Sequence, residues 1–394
     1  MIEGLETRIV VVGGGPAGLY SAYLIKQSNP EVSVIVLEMK NEIGKSCCTG
    51  LISISGFEKT KLNRYIILGD SVVNKVQGAE IFGPYKAFLR IRSKKNQAYV
   101  LNRRKFDQKI RDLALSAGVD ILYNSQVINV SENKVYYMDL KTNQSYEMSY
   151  TFLIGADGAN SVVRNYFLQD KEYQKEFIHA YQVVVEGDFE KEMVQVYLGD
   201  FAKGLFGWVV PESSTQAKIG IGVNLGKNPQ EAFTLFLEKF NIKFIKRISE
   251  ASGIIPIHAP LDNFVKDNVL LVGDAGFFVK ATTGGGINFG LISANLAADA
   301  INNRIKKFKP LLEYNKSLKK YLNELNIHYK LHNYLLSKTN TELDELLIKL
   351  KQLNVEKFLE KKGNMDFPSE FMYLFLLKPK MFSLFPEFMK FRKF

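Results

Sequence analysis

The stretch from Arg8 to Glu38 constrains the fold more than any other. It reads RIVVV, GGGPAG, LYSAYLIKQS and VSVIVLE: an apolar run, a glycine turn, a run with helical spacing, and a second apolar run. That order predicts a βαβ unit. Gly13, Gly15 and Gly18 stand at Gly-x-Gly-x-x-Gly spacing. The first glycine permits a tight turn, the second lets backbone approach a pyrophosphate, and the third allows close helix–strand packing. Pro16 and Ala17 then open a helix whose free N–H groups and dipole favour an anion. Glu38 ends the second strand 20 residues after Gly18, with Met39 beside it. A carboxylate there accepts both hydroxyls of a ribose and repels a 2′-phosphate. These residues suit a bound dinucleotide; the bland alternative is a glycine turn in an α/β domain without a ligand.

Two later stretches repeat the theme of a buried strand that ends in Gly and Asp. GADGANSVVR supplies Asp157 and Gly158, and VLLVGDAGFF supplies Gly273 and Asp274. An acidic side chain at a strand's carboxyl end can meet a ribityl hydroxyl. The following TTGGGI, with Gly285, Gly286 and Ile287, can turn backbone N–H groups toward phosphate.

Between these signals the chain reads as strands over 72–101, a helix over 103–118, two strands over 119–140, and a second antiparallel sheet over 178–225. Helices are predicted over 228–240 and for most of the chain beyond 310, and residues 39–56 read as an irregular loop. The expected fold is α/β: a Rossmann-like domain in pieces (1–71, 98–170 and 262–309) interleaved with an antiparallel-sheet substrate domain (72–97 and 171–261). A helical C-terminal region, 310–394, completes the chain.

Composition adds limits. A chain of 394 residues that is 46% hydrophobic and 24% charged can bury a large core. Its two cysteines cannot make a disulfide scaffold, which suggests a reducing, cytoplasmic setting. The first strand begins too early to leave room for a signal peptide, and no apolar run approaches the ~20 residues that span a bilayer. The net charge of +11 is uneven: residues 301–394 hold 19 Lys and Arg against 10 Asp and Glu. There the cations are interleaved with Phe, Met and Leu, as in FMYLFLLKPKMFSLFPEFMKFRKF. That mix suits a lipid surface, such as the inner face of the cell membrane, or an apolar ligand better than nucleic acid. A helical cap with a solvated basic face is the alternative.

The three glycine turns, in this order and at these separations, resemble the FAD-dependent oxidoreductases of the para-hydroxybenzoate hydroxylase fold. The resemblance covers roughly residues 8–305 and implies FAD as cofactor. It implies that the glycine triplet and Glu38 hold the AMP half and that Asp274 meets the ribityl chain. Gly284–Ile287 would lie against the pyrophosphate and flavin. NRRKFD puts Arg103 near the cofactor, and Val127 falls where a backbone contact to adenine is usual.

A narrower resemblance rests on FGWVVPESSTQAKIGIG, residues 206–222. It is similar to the Tyr-x-Trp-x-Phe-Pro, spacer, Gly-x-Gly signature of geranylgeranyl reductases, matched by Trp208, Pro211, Gly220 and Gly222. Phe206 and Val210 replace the family's tyrosine and phenylalanine. SGIIPIHAPL (252–261) and KATTGGGI (280–287) fit the same family, including its archaeal digeranylgeranylglycerophospholipid reductases. The implied reaction is FAD-dependent saturation of isolated C=C bonds in isoprenoid or ether-lipid chains. Trp208 and Phe206 would wall an apolar channel in which Gly220 and Gly222 leave room for a bulky chain; an aromatic core strand with glycine bulges is the alternative. The electron donor is left between reduced ferredoxin and NAD(P)H, because no second dinucleotide motif marks a dedicated NADPH domain. Rival functions are a flavin monooxygenase and an electron-carrying or lipid-binding flavoprotein without alkene chemistry.

In that family a cysteine loop lies against the flavin. The counterparts here are Cys47 and Cys48, followed by Gly50, with Cys47 favoured to line the site; a thiol there could donate a proton to the alkene or sense redox state, and small buried hydrophobes are the alternative. His328 and His332 stand four residues apart, a spacing that can hold zinc on a helix. With no third ligand in sight they are read as surface residues, and no metal is expected.

Overall fold

The computed structural model describes residues 7–44, 47–63, 67–168, 177–257 and 261–376. Near-continuous apolar runs form the first sheet, as expected of strands buried on both faces. Its order is Val265–Lys266, Val269–Leu271, Phe152–Gly155, Arg8–Val12, Ser33–Leu37 and Asp120–Leu122. All neighbours are parallel except the first pair. Register matters here. Val12 pairs with Leu37 and with Gly155, and Gly155 pairs with Leu271. The turns that leave these strands therefore emerge together at one edge.

The helix Pro16–Ser28 packs on this sheet beside the helices Arg103–Ser116 and Ile287–Lys307. They share a core that includes Ile9, Val11, Leu19, Phe106, Phe289 and Ala297. On the sheet's other face Val10, Val12 and Leu37 meet Val127, Val130 and Val135 of a three-stranded antiparallel sheet over 125–149. Residues 39–56 contain more structure than the loop expected from sequence. Leu51–Ser53 pairs with Ala98–Leu101, and Ile54–Glu58 is helical, capped by Ser53. The strand is only three residues long, too short for alternation to show.

A seven-stranded sheet runs in the order Lys246–Pro256, Phe177–Glu186, Gln216–Asn224, Gly204–Pro211, Met193–Tyr197, Gly78–Phe82 and Phe88–Arg92. One face is covered by the helix Pro229–Lys239 through an aromatic cluster of Tyr181, Tyr197, Phe201, Phe233 and Phe236. The other face carries Ile178, Ala180, Leu205, Trp208 and Val210, which pack with Val100 and Ala281. This second face looks toward the first sheet's turns.

Beyond residue 310 come the helices Glu313–Leu336, Asn340–Gln352, Val355–Lys362 and Ser369–Leu376. Most of the basic aromatic tail, 377–394, lies outside the described residues. Among the described residues no helix is long and apolar enough to cross a membrane.

His328 and His332 are not surface residues. The apolar stripe Tyr314, Leu318, Tyr321 continues at helical spacing into Glu324, His328 and His332, so both imidazoles are buried. Polar residues on an inward stripe read as surface when the periodicity is judged from apolar residues alone. His328 Nε2 lies 3.2 Å from the Asp366 carbonyl and Nδ1 lies 2.6 Å from Thr282 Oγ1. Since a carbonyl only accepts, Nε2 carries the proton and Nδ1 accepts from the threonine. Burial pushes both rings down to about 4; for His328 the nearby Lys280 adds to the effect. Between that value and the unfolded value near 6.5 the unfolded chain binds more protons, so stability falls as pH drops through this window. The loss is on the order of 3 kcal/mol per ring at most. Denaturation between pH 7 and 4.5 is expected to show the fall, and His332→Phe to flatten part of it. Superimposable profiles for the two proteins would contradict the assignment.

Candidate functional site

Three turns meet at the edge of the parallel sheet. At Gly13, φ is +103° and an added Cβ would lie 2.4 Å from the Ala156 carbonyl oxygen; at Gly18 it would lie 2.0 Å from the Gly13 oxygen. Those two glycines are demanded by the protein's own packing. Gly15 differs: nothing lies within 4 Å of its Cβ position, and its φ of −73° suits any residue. Its Cα borders open space. The same holds over Gly158, though there φ is +79°.

Helix ends supply the donors. Asn102, Ser161, Asn228 and Thr339 cap their helices with side-chain oxygens. Gly15 and Gly286, which precede the Pro16–Ser28 and Ile287–Lys307 helices, offer no such cap. The N–H groups of both first turns and the positive ends of both dipoles are thus left for an anion. Ala17 sits between them, its Cβ 3.1 Å from the Cβ position of Gly273.

Glu38 is buried at the end of its strand. Its Oε2 accepts from Gly14 N at 2.6 Å and its Oε1 from Lys40 N at 2.8 Å. Met39 beside it is exposed, and Val127, on the adjacent small sheet, is buried in the core beneath. Asp157 faces away from open space. Its carboxylate accepts from Ser161 Oγ (2.6 Å), Val162 N (2.7 Å) and Val163 N (3.1 Å), so it stabilises the turn while the Gly158 backbone borders the site. Burial raises its pKa, and these bonds offset part of the rise. Asp274 is also pushed up by burial, against the pull of Arg103 and Arg164. One of its carboxylate oxygens lies 2.8 Å from the Cβ position of Gly286, which ties this acid to the Gly284–Ile287 loop.

Sequence reasoning overlooked Arg164. Its guanidinium donates to the carbonyls of Ala159 and Ala275 and stacks over Phe277, bolting the second turn to the third. An arginine near the start of an ordinary helix carries no local signal of that role.

The cysteine loop closes the site from the side. Arg103 holds Asp107 in a bidentate pair at 2.9 and 3.0 Å and also bonds the Cys48 side chain. The second sheet grips the loop's backbone: Gln182 Nε2 donates to the Cys48 carbonyl at 3.2 Å and Lys218 Nζ to the Thr49 carbonyl at 3.1 Å. Lys218 is neutralised by Glu212 at 2.9 Å. Cys47 leans against Gly253 of the same sheet. Burial, then the neighbouring Cys48, push the Cys47 thiol up to about 11, with Lys218 pulling the other way. Cys47 therefore holds its proton at neutral pH. Gln182 and Lys218 were invisible in the sequence because they lie more than 130 residues from the loop they hold.

Phe206 and Trp208 meet edge to face at 6.0 Å and pack in one apolar cluster with Leu205 and Ala281. The signature glycines work differently from the expectation. Trp208 pairs with Gly220, and a Cβ there would lie 2.4 Å from the indole; at Gly222 it would strike Leu205 at 2.7 Å. The room they leave is taken by the protein's own side chains, which lets Trp208 lie flat across the sheet. Pro211 ends that strand opposite Ala217. The buried Trp208 Nε1 has no partner among the described residues. Those residues also contain no His, Cys, Asp and Glu cluster able to hold a metal.

The family described as FAD binding domain matches residues 6–307. The chain belongs to that family. It is an FAD-dependent oxidoreductase, and uncapped helix ends, open space over Gly15 and a carboxylate at Glu38 fit that cofactor. Digeranylgeranylglycerophospholipid reductase 1 of Methanococcoides burtonii is 29% identical over 369 residues, covering 89% of this chain and 88% of the relative. A geranylgeranyl bacteriochlorophyll reductase-like protein from Thermoplasma acidophilum shares the fold with a TM-score of 0.78 at 21% identity, over 97% of this chain and 99% of that one. The flavin-dependent halogenase CmlS aligns at 0.64 and 17% identity, over 84% and 65%. The resemblance to geranylgeranyl reductases is thus borne out by relatives, on a fold that other flavoenzymes share.

Gly15 and Gly18 separate binding from folding. Gly15→Ala should leave folding stability within about 0.5 kcal/mol while weakening FAD binding at least tenfold. Gly18→Ala should cost about 2 kcal/mol of stability as well. Fluorescence titration with FAD and denaturant melts of the apoproteins check both; undiminished binding by Gly15→Ala would remove phosphate from this turn.

Proposed function

We propose that this protein saturates isolated C=C bonds of isoprenoid chains in a lipid or lipid precursor. The observation that carries the proposal is the junction of the cysteine loop with the second sheet. There the sheet that carries Phe206 and Trp208 grips the loop that carries the protonated Cys47 thiol, which supports a site between that sheet and the cofactor turns. The reductase name of the Methanococcoides relative supports the same substrate class.

Adding hydrogen across an unactivated alkene needs a hydride on one carbon and a proton on the other. Bound FAD, once reduced, supplies the hydride. The protein's residues do the rest. The turns at Gly13–Gly18 and Gly284–Ile287 and the carboxylates of Glu38 and Asp274 bind and orient the cofactor. Trp208 and Phe206 press the flexible chain into one approach geometry and exclude water. Cys47 holds a proton in a thiol that burial keeps neutral, and it can deliver that proton to the second alkene carbon. Arg103 holds Cys48, so the two neighbouring thiols have distinct surroundings. In this reading the cofactor unit is formed by 1–71, 98–170 and 262–309, and the sheet of 72–97 and 171–261 presents the substrate. The helical region beyond 310 roofs the site or rests on the membrane that holds the lipid, at its cytoplasmic face. Reduced ferredoxin or NAD(P)H would replenish the electrons.

Anaerobic incubation of dithionite-reduced holoprotein with unsaturated archaeal-type ether lipids, read by mass, tests the reaction class. The expected product gains one H2 per double bond, and Cys47→Ala should slow the gain by about 100-fold, with Cys48→Ala affected less. Unchanged lipid together with rapid substrate-coupled oxygen consumption would instead assign a monooxygenase on this fold.

A further inference from the structure

Asp366 is completely buried, yet it lies in the C-terminal helical region, far from any cofactor motif in sequence. One carboxylate oxygen pairs with Lys280 Nζ. The other accepts from Ser53 Oγ and, at 2.9 Å, from Asn288 Nδ2. Its backbone carbonyl accepts from His328. Burial alone would raise this acid, but Lys280, Ser53 and Asn288 together hold it below the usual carboxylate range. Each of these partners belongs to a segment that borders the site. Ser53 comes just after the cysteine loop, Asn288 opens the Ile287–Lys307 helix, and Lys280 begins the loop that carries Gly284, Gly285 and Gly286.

Lys280 lies under that loop. Its N–H donates to the Gly285 carbonyl at 3.2 Å, and its own carbonyl accepts from Gly284 N at 2.8 Å. Its Cε and Nζ are 3.1 and 3.4 Å from the Cβ position of Gly285, so the end of the lysine lies against the loop. A fully buried ion pair is a poor source of stability, because apolar residues of equal volume usually serve as well. What the pair does provide is a fixed charge balance in a low-dielectric region, where one unpaired charge acts strongly on its surroundings.

We propose that Asp366 is a positioning residue that acts through Lys280 and holds down the reduction potential of the FAD bound against the triple-glycine loop. The proposal rests on the reading that Gly284–Ile287 lies beside the cofactor. Reduction adds electrons, so a lone cation behind the loop stabilises the reduced form and a lone carboxylate destabilises it. Paired, the two nearly cancel.

Redox titration of the full-length holoprotein against reference dyes, at one pH and ionic strength, tests this. Asp366→Asn should raise the FAD potential and Lys280→Gln should lower it. The double variant should return close to the parent, and Lys280→Arg should keep the parent value. FAD content, read by absorbance, is measured on each preparation. Should Asp366→Asn fail to fold, the step from Lys280→Gln to the double variant must still reverse the shift. Parent-like potentials in all FAD-replete variants would overturn the proposal and leave the cofactor assignment standing. Shifts of the same sign in both single variants would mean loop distortion, not charge, and would also overturn it. A parent protein that takes up no FAD would fell the site reading itself.

Discussion

The parallel register that aligns Val12, Gly155 and Leu271 is the constraint on which everything else depends. Hydrogen bonding between parallel strands is indifferent to the residues beyond each strand's end. It nevertheless forces the three turns at those ends to leave the sheet side by side. A slip of one residue would turn each apolar strand over and separate Gly13 from Ala156, whose carbonyl it touches. The site is thus a consequence of strand pairing, and the glycines at its centre are there because backbone meets backbone.

Onto this edge the second sheet docks through few but specific contacts. Gln182 and Lys218 hold two successive carbonyls of the cysteine loop, and Arg103 holds the Cys48 side chain from below. Trp208 can lie across its neighbouring strand only because Gly220 has no side chain. The reductase signature is therefore, first, a packing device. It fixes the orientation of Trp208 against Gly220 and the neighbouring core. The same scaffold aligns with a halogenase, so the shared sheets by themselves do not name a reaction.

The C-terminal region is joined to the site more tightly than a cap would be. It brings a buried histidine and a buried aspartate against residues 280–288 and Ser53, while the buried Glu324 ties its own helix to Ser369. Each of these polar groups is satisfied by a partner from another segment, as burial demands. That interdependence makes the cofactor edge and the helical region one cooperative structure.

The sequence by itself determined the parts governed by local backbone chemistry. Gly13, Gly15 and Gly18 announced the first turn because a tight turn and a helix N-terminus have a fixed spacing, and the place of Glu38 came from the length of one helix and one strand. The helices over 103–116, 229–239 and beyond 310 were readable from their periodicity. Only the tertiary structure decided which residues meet across long separations. Asp366 with Lys280, Gln182 with the Cys48 carbonyl, and Arg164 with Ala275 leave no mark in any local pattern. It also reversed two expectations: His328 and His332 point inward, and Gly220 and Gly222 make room for Trp208 and Leu205. The physical reason is common to all of these. Dihedral preference and hydrophobic period act over a few residues and are written in order, whereas partners for buried charge and free volume are chosen only when distant segments pack.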